Sequence, residues 1–247
     1  MALQSSLSGI KEMSDKKRFK LKHFDVWQSA DVFKIGTDAF VLGSWANLNS
    51  PPSTILDIGT GTGILSLMLA QKYPKAQITA IDANKNAIEL AKANVQQSPF
   101  HTQIKVCHDG FEQFQSEQRF ELIISNPPYF VDAVLADSQV LATAKHLNSN
   151  SVNELFACIQ RQLAPHGVAI LIHPNDGVFE EQALIHGLHV QKQLRVFGVA
   201  DRLVRVCNCY GFEKCEQEII DLVIRDSGGR YTAAYKSLTR EFHGVAI

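Results

Sequence analysis

The stretch Ile55-Leu56-Asp57-Ile58-Gly59-Thr60-Gly61-Thr62-Gly63 restricts the fold more than any other part of the chain. Its apolar, partly β-branched start reads as a buried strand, and Ile64-Leu65-Ser66-Leu67-Met68-Leu69-Ala70 has the composition of a helix packed onto it. Between the two, alternating glycines let the backbone turn sharply and leave no Cβ in a ligand's path. Such a strand-turn-helix is a nucleotide-type βα unit, and βα units assemble open parallel sheets that bind ligands beyond the carboxyl ends of their strands. The glycine spacing departs from the dinucleotide fingerprint Gly-x-Gly-x-x-Gly. Asp57, just ahead of the first glycine, would repel a pyrophosphate, so the loop suits a cationic ligand.

Three further strands extend this pattern. Ile78-Thr79-Ala80-Ile81 ends in Asp82, 21 residues after Gly61, where a carboxylate can accept hydrogen bonds from both hydroxyls of a ribose or cap the helix expected over Asn84 to Gln97. Ile104-Lys105-Val106-Cys107 runs into His108-Asp109-Gly110-Phe111; there Asp109 can accept from an adenine amino group and Phe111 can cover the ring. Leu122-Ile123-Ile124 closes on Ser125-Asn126-Pro127-Pro128-Tyr129. Asn126 offers one acceptor and two donors, the prolines give carbonyls without a competing N–H, and Tyr129 supplies a flat ring. That set suits a planar substrate carrying an amino group. Taken alone it is equally a strand end with a proline-stiffened loop, and the cofactor-type site that precedes it decides between the two.

Composition sets the outer bounds. A chain of 247 residues with 45% hydrophobic content can bury a large core as one domain. Residues 13–247 are expected to be that domain, with the Ser-rich residues 1–12 a disordered or artificial leader. A formal net charge of -1 neither proposes nor excludes a nucleic-acid partner. No apolar run approaches the roughly 20 residues that span a bilayer, and no signal peptide opens the chain, so a cytoplasmic location is expected. Cys107, Cys158, Cys207, Cys209 and Cys215 lack paired metal-ligand spacings and read as free thiols, with no metal site.

Upstream of the glycine loop, Lys16, Lys17, Arg18, Lys20 and Lys22 alternate with Phe19, Leu21 and Phe24, placing cations and apolar groups on opposite faces of an extended segment. Such a strip attracts phosphates or is simply a solvated terminus. Lys34-Ile35-Gly36-Thr37-Asp38 precedes an apolar helical stretch from Ala39 to Ala46; its backbone amides with Lys34 and Thr37 could bind a carboxylate, but capping of that helix by Thr37 or Asp38 is the simplest reading. Downstream, Val131 to Asn148, with Lys145 and His146, lacks a clear period and reads as a substrate loop or lid. Ser151-Val152-Asn153-Glu154 has capping-box spacing and starts a helix to Leu163 that Pro165 and Gly167 end. Val168 to Ile172 is the next strand, and Asn175 to Gly187 a helix. His189 to Phe197, Leu203 to Tyr210 and Glu218 to Arg225 read as three strands forming the antiparallel end of a mixed sheet. Arg195, Arg202, Arg205, Arg225, Arg230, Lys236 and Arg240 crowd the last quarter near Tyr231 and Tyr235. Arginine beside aromatic rings can grip a sugar-phosphate backbone, but Tyr231, Leu238 and Phe242 more simply pack a C-terminal helix on the sheet.

Two motifs resemble known ones. Asp57-x-Gly59-x-Gly61-x-Gly63 resembles motif I of class I S-adenosylmethionine-dependent methyltransferases, and Asn126-Pro127-Pro128-Tyr129 resembles motif IV of enzymes that methylate amino groups of adenine, cytosine or glutamine. With Phe33 to Asp38, Asn94 to Pro99 and Tyr231 to Tyr235, they make the chain similar to the bacterial tRNA1(Val) (adenine-37-N6)-methyltransferase family. The resemblance implies a Rossmann-like α/β class I fold, with a seven-stranded mixed sheet and helices on both faces. It implies S-adenosylmethionine as cofactor, the anticodon arm of tRNA as partner, and no obligate protein partner. By the same resemblance Lys34, Thr37 and Asp38 lie near the methionine moiety, Asp57, Gly59, Gly61 and Gly63 surround the cofactor, Asp82 holds its ribose and Asp109 its adenine, and Asn126, Pro127, Pro128 and Tyr129 meet the target base. A glutamine methyltransferase acting on release factors shares Asn-Pro-Pro-Tyr and is the nearest alternative, followed by an enzyme acting on adenine of DNA or ribosomal RNA.

Overall fold

The computed structural model describes residues 17–29, 32, 35–127 and 138–243, with side chains of the long helix described from 149 onward. Lys34, Pro128, Tyr129, the leader and residues 131–137 of the expected lid lie outside the described residues. In chain order the elements are β1 (Lys17–Lys20), β2 (Asp25–Gln28), α1 (Thr37–Trp45), β3 (Thr54–Ile58), α2 (Ile64–Lys72), β4 (Gln77–Asp82), α3 (Lys85–Gln96) and β5 (Ile104–His108). They continue as β6 (Phe120–Ser125), α4 (Ser138–Gln162), β7 (Leu163–His173), α5 (Val178–Ile185), β8 (His189–Phe197), β9 (Leu203–Gly211), β10 (Glu218–Val223) and α6 (Ala233–Thr239).

The main sheet has eight strands, one more than expected, in the order β10-β8-β9-β7-β6-β3-β4-β5. Its interior strands are apolar on both faces because both faces are covered. Along β3 and β6, Ile55, Leu122 and Ile124 join one core layer with Phe40, Leu67, Met68, Tyr235 and Phe242, while Leu56, Ile58 and Ile123 join the other with Phe156, Ile159, Phe179 and Tyr210. Helices α1, α2 and α6 therefore cover one face, and α4 and α5 the other.

The distal end is antiparallel as expected at β9 and departs from that reading at β10. β9 runs antiparallel to both β7 and β8, but β10 pairs with β8, and in parallel. Both edges of β9 are already taken, so β10 adds to the free edge of β8, which points the same way. The N-terminal cations behave as the alternation implies: Lys17, Arg18 and Lys20 are exposed on β1, while Phe19 packs on the core against Phe40. Rather than running on as one extended segment, the strip turns after Lys20 and forms a separate ribbon with β2, carrying an Arg18–Asp25 ion pair.

Helix α4 corrects two readings. It begins at Ser138, so residues from there to Asn148 are helical rather than irregular, and Ser151 sits mid-helix rather than at a cap. A capping box specifies a start only where the preceding residues leave the helix. Here they continue it, while Val152, Leu155, Phe156 and Ile159 fall on one buried face. Strand β7 follows at once, from Leu163, and passes a register shift opposite Phe120/Leu122. At Gly167 an added Cβ would lie 2.8 Å from the Phe120 carbonyl oxygen, so glycine permits close strand approach rather than ending the helix. The aromatic C-terminus packs as expected: Tyr235 and Phe242 are buried, and Tyr231 stacks on Tyr235 with ring centroids 4.7 Å apart.

Candidate active site

Parallel pairing brings four strand ends to one edge. Ile58 is level with Ile81 on β4 and with Ser125 on β6, and Asp82 is level with His108 on β5. Asp82 and Asn126 thus lie at the same end of the sheet with β3 between them, roughly 10 Å apart at two strand spacings. The Ser125 hydroxyl donates to the Ile58 carbonyl at 2.9 Å, clasping the ends of β3 and β6 just before half-buried Asn126 and Pro127.

The glycine loop leaves β3 through left-handed backbone at Gly59, Gly61 and Gly63, with φ of 72°, 56° and 81°. The Gly59 and Thr60 amides donate to the Ile81 carbonyl at 2.9 and 3.0 Å, fixing the turn against β4. Above it the space is open. A Cβ on Gly59 would meet nothing within 4 Å, and one on Gly61 only the Gly59 carbonyl oxygen at 4.0 Å.

Beneath the loop, Asp57 is fully buried. Its Oδ2 accepts from the Ser66 hydroxyl (2.6 Å), the Thr60 hydroxyl (2.7 Å) and the Ser66 amide (3.2 Å). Its Oδ1 is buried without a partner. Burial pushes the carboxyl pKa up to about 6, against the pull of the Ser66 and Thr60 hydrogen bonds. An unpartnered buried carboxylate oxygen fits a positively charged donor better than a neutral one.

Asp82 joins the loop to its neighbours: the Gly61 amide donates to Oδ2 and the Asn84 amide to Oδ1, each at 2.9 Å. It does not cap α3. Asn84 does, accepting from the amides of Asn86 (2.9 Å) and Ala87 (3.4 Å), because it stands one residue before the first helical one. The Asp109 amide donates to the Asp82 carbonyl at 3.1 Å, which puts Asp109 on the same edge. Phe111, also half-buried, packs against the layer beneath α4.

Thr37 and Asp38 do not cap α1. Gly36 holds the N-cap position and no side chain bonds there. Asp38 turns instead to the start of β9, accepting from Arg205 Nε at 3.1 Å, and Thr37 is exposed. This pair joins residues 167 apart, so no local pattern announces it. The sequence signal for Ser66 is a hydroxyl in an otherwise apolar helical run. Asn94, also fully buried, accepts from the Trp27 amide and donates to the Trp27 and Thr62 carbonyls, tying β2 to the glycine loop.

At the end of β7, buried His173 donates from Nδ1 to the Pro174 carbonyl (2.8 Å), so Nε2 is left to accept from the Tyr210 hydroxyl (2.9 Å). Burial lowers its pKa to about 4 and keeps the imidazole neutral. A separate cavity of about 710 Å³ lies between Trp45, Lys72, Ile170 and Leu238 and is lined by none of the residues expected to meet cofactor or target base. Carboxylates and an amide converge at the sheet edge, not there. Among the described residues no cluster of His, Cys, Asp or Glu could hold a metal ion, and no helix is long and apolar enough to cross a membrane.

The Methyltransferase small domain family matches residues 22–173. A tRNA1(Val) (adenine(37)-N6)-methyltransferase of Vibrio cholerae is 39% identical over 230 residues, covering 92% of this chain and 95% of that protein. One of Phocaeicola vulgatus is 37% identical, covering 91% and 97%. In fold, the chain is similar to the crystal structure of a predicted O-methyltransferase of Agrobacterium tumefaciens, with TM-score 0.62, 16% identity, and coverage of 85% of this chain and 98% of that one.

Proposed function

Because the chain belongs to the tRNA1(Val) (adenine(37)-N6)-methyltransferase family, it transfers a methyl group from S-adenosylmethionine to N6 of a tRNA adenine, and we propose that this is adenine 37, presented by the anticodon arm. The observation that carries the site assignment is the meeting, at one edge, of an unpartnered Asp57 oxygen under an open glycine loop with Asn126 behind the Ser125–Ile58 clasp.

S-adenosylmethionine supplies an electrophilic sulfonium methyl together with an ammonium and a ribose. In our reading Asp57 balances its positive charge from below, Gly59, Gly61 and Gly63 let the backbone approach, Asp82 accepts from the ribose hydroxyls, and Asp109 and Phe111 receive the adenine. In the same reading Thr37 and Asp38 close the methionine end, with Asp38 held by Arg205, and Lys34 is assigned there from the motif alone. On the substrate side the Asn126 side-chain oxygen and the Pro127 carbonyl accept the two hydrogens of the target N6. These acceptors favour a pyramidal nitrogen, whose lone pair is otherwise delocalised into the ring, and aim it at the methyl. N6 takes the methyl as the sulfur–methyl bond breaks, its electron pair staying on sulfur to leave the neutral thioether; N6 becomes cationic, and the same acceptors bind it more tightly than they bind the neutral amine before a proton leaves to water. Pro128 and Tyr129 are assigned to the same platform from their place in the motif, and a Tyr129 ring stacked on the extruded base would replace its lost stacking, worth about 1–3 kcal/mol.

The test uses cofactor carrying a labelled methyl and, as substrates, a tRNA1(Val) transcript, the same transcript with guanine at 37, duplex DNA and a release factor. Label recovered as N6-methyladenosine from the first transcript alone is expected. Label in the release factor, or undiminished label in the guanine transcript, would contradict the assignment.

A further inference from the structure

Two hairpin tips are laced together at the far end of the same edge. The Gly198 amide donates to the Arg202 carbonyl (3.0 Å) and the Arg202 amide to the Val199 carbonyl (3.1 Å), closing the turn between β8 and β9. Asp201 forms its corner in left-handed backbone, with φ of 65°. After β10, Arg225 bridges to Tyr231 and the Asp226 amide donates to the Arg230 carbonyl (2.8 Å), closing a second turn. The Arg225 amide also donates to the Gly198 carbonyl at 3.1 Å, so each tip braces the other. Strands β8 and β10 point the same way as β6 and β7, which puts both tips on the edge that carries Asp82 and Asn126. At ~4.8 Å per strand, β8 and β10 lie about 14 and 19 Å from β6, within reach of nucleotides flanking a base held at Asn126.

The charges on this platform are arranged for a polyanion. Residues 198–205 and 225–231 contain Arg202, Arg205, Arg225 and Arg230 against Asp201 and Asp226, a cationic surplus in a chain of net charge -1. Arg205 is paired with Asp38, and Arg230 with Asp226. Arg202 and Arg225 are exposed and form no ion pair among the described residues. The Arg225 guanidinium lies 4.0 Å from the Tyr231 ring centroid and donates to the Gly229 carbonyl at 2.7 Å. Stacking holds this fork in place and leaves its charge unneutralised, which suits bidentate phosphate recognition. Val199, exposed at the adjacent tip, adds apolar surface for a ribose or base.

We propose that the paired tips, headed by Arg202 and Arg225, hold the phosphodiester backbone of the RNA beside the target adenine. This rests on the reading of the site as one acting on a tRNA adenine. The test compares wild type with R202Q/R225Q and R202K/R225K, measuring tRNA affinity across salt concentrations, KM and kcat with tRNA, and the Kd for S-adenosylmethionine. The glutamine variant is expected to raise KM and Kd for tRNA about tenfold and to lessen the salt dependence by between one and two counterions. Its kcat at saturating tRNA and its cofactor affinity should stay unchanged, and the lysine variant should recover the salt slope. Unaltered tRNA affinity and salt slope would overturn the proposal, as would a loss of cofactor affinity parallel to that for tRNA. Failure of the wild type to methylate tRNA would instead remove the underlying reading, and this proposal with it.

Discussion

Asp57 shows how a single residue can be held against its own preference. Three donors converge on Oδ2, yet removal from water outweighs them and lifts its pKa to about 6. The ordinary value is about 3.9, so between the two the folded protein keeps a proton that the unfolded chain releases. The contribution of Asp57 to stability is therefore full below pH ~4 and lost as pH rises through about 6. Against a D57N variant, which does not titrate, the wild-type unfolding free energy should fall by roughly 1.4 kcal/mol per pH unit across that window and then level off. Urea denaturation of both proteins at several pH values measures this, and a difference independent of pH would contradict it. The sequence shows the carboxylate and its aversion to a pyrophosphate. The hydroxyls of Thr60 and Ser66 that restrain it become visible only once the helix has turned back over the strand.

Among elements, the N-terminal ribbon and α3 depend on one amide. Asn94 pairs the Trp27 amide at 2.8 Å and the Trp27 and Thr62 carbonyls at 3.0 and 2.8 Å, so β2, α3 and the glycine loop share a fastening. N94A strands these backbone groups away from water and should cost about 1–3 kcal/mol in chemical denaturation. It should also speed hydrogen exchange at the Trp27 amide and weaken S-adenosylmethionine binding through the loosened loop; wild-type values for all three would refute the fastening. Elements with both a strong composition and a strong boundary were legible: β3, β4, β5 and β6 are apolar runs that each stop at a glycine or polar turn residue. Elements set by competition were not. The Ser151 capping box lost to a helix already under way from Ser138, and β10 chose the free edge of β8 because β9 had none left.

At the scale of the whole molecule, parallel pairing converts a linear order of motifs into a site. Asp57, Asp82, Asp109 and Asn126 are spread over 70 residues, yet their strands point one way and end together. A sequence can reveal that convergence because the rule linking strand direction to ligand position is general. It cannot reveal contacts closed by distant chain, such as Arg205 on Asp38 or the lacing of Arg225 to Gly198. The most direct test of the central claim, that cofactor and base are held by different strand ends of one edge, is single-turnover methylation of tRNA by N126A, with S-adenosylmethionine affinity measured on the same preparation. Cofactor affinity equal to wild type, with a methyl-transfer rate lowered by about 10²–10³, is the expected result. A wild-type rate, or a rate lost only in proportion to cofactor affinity, would contradict it.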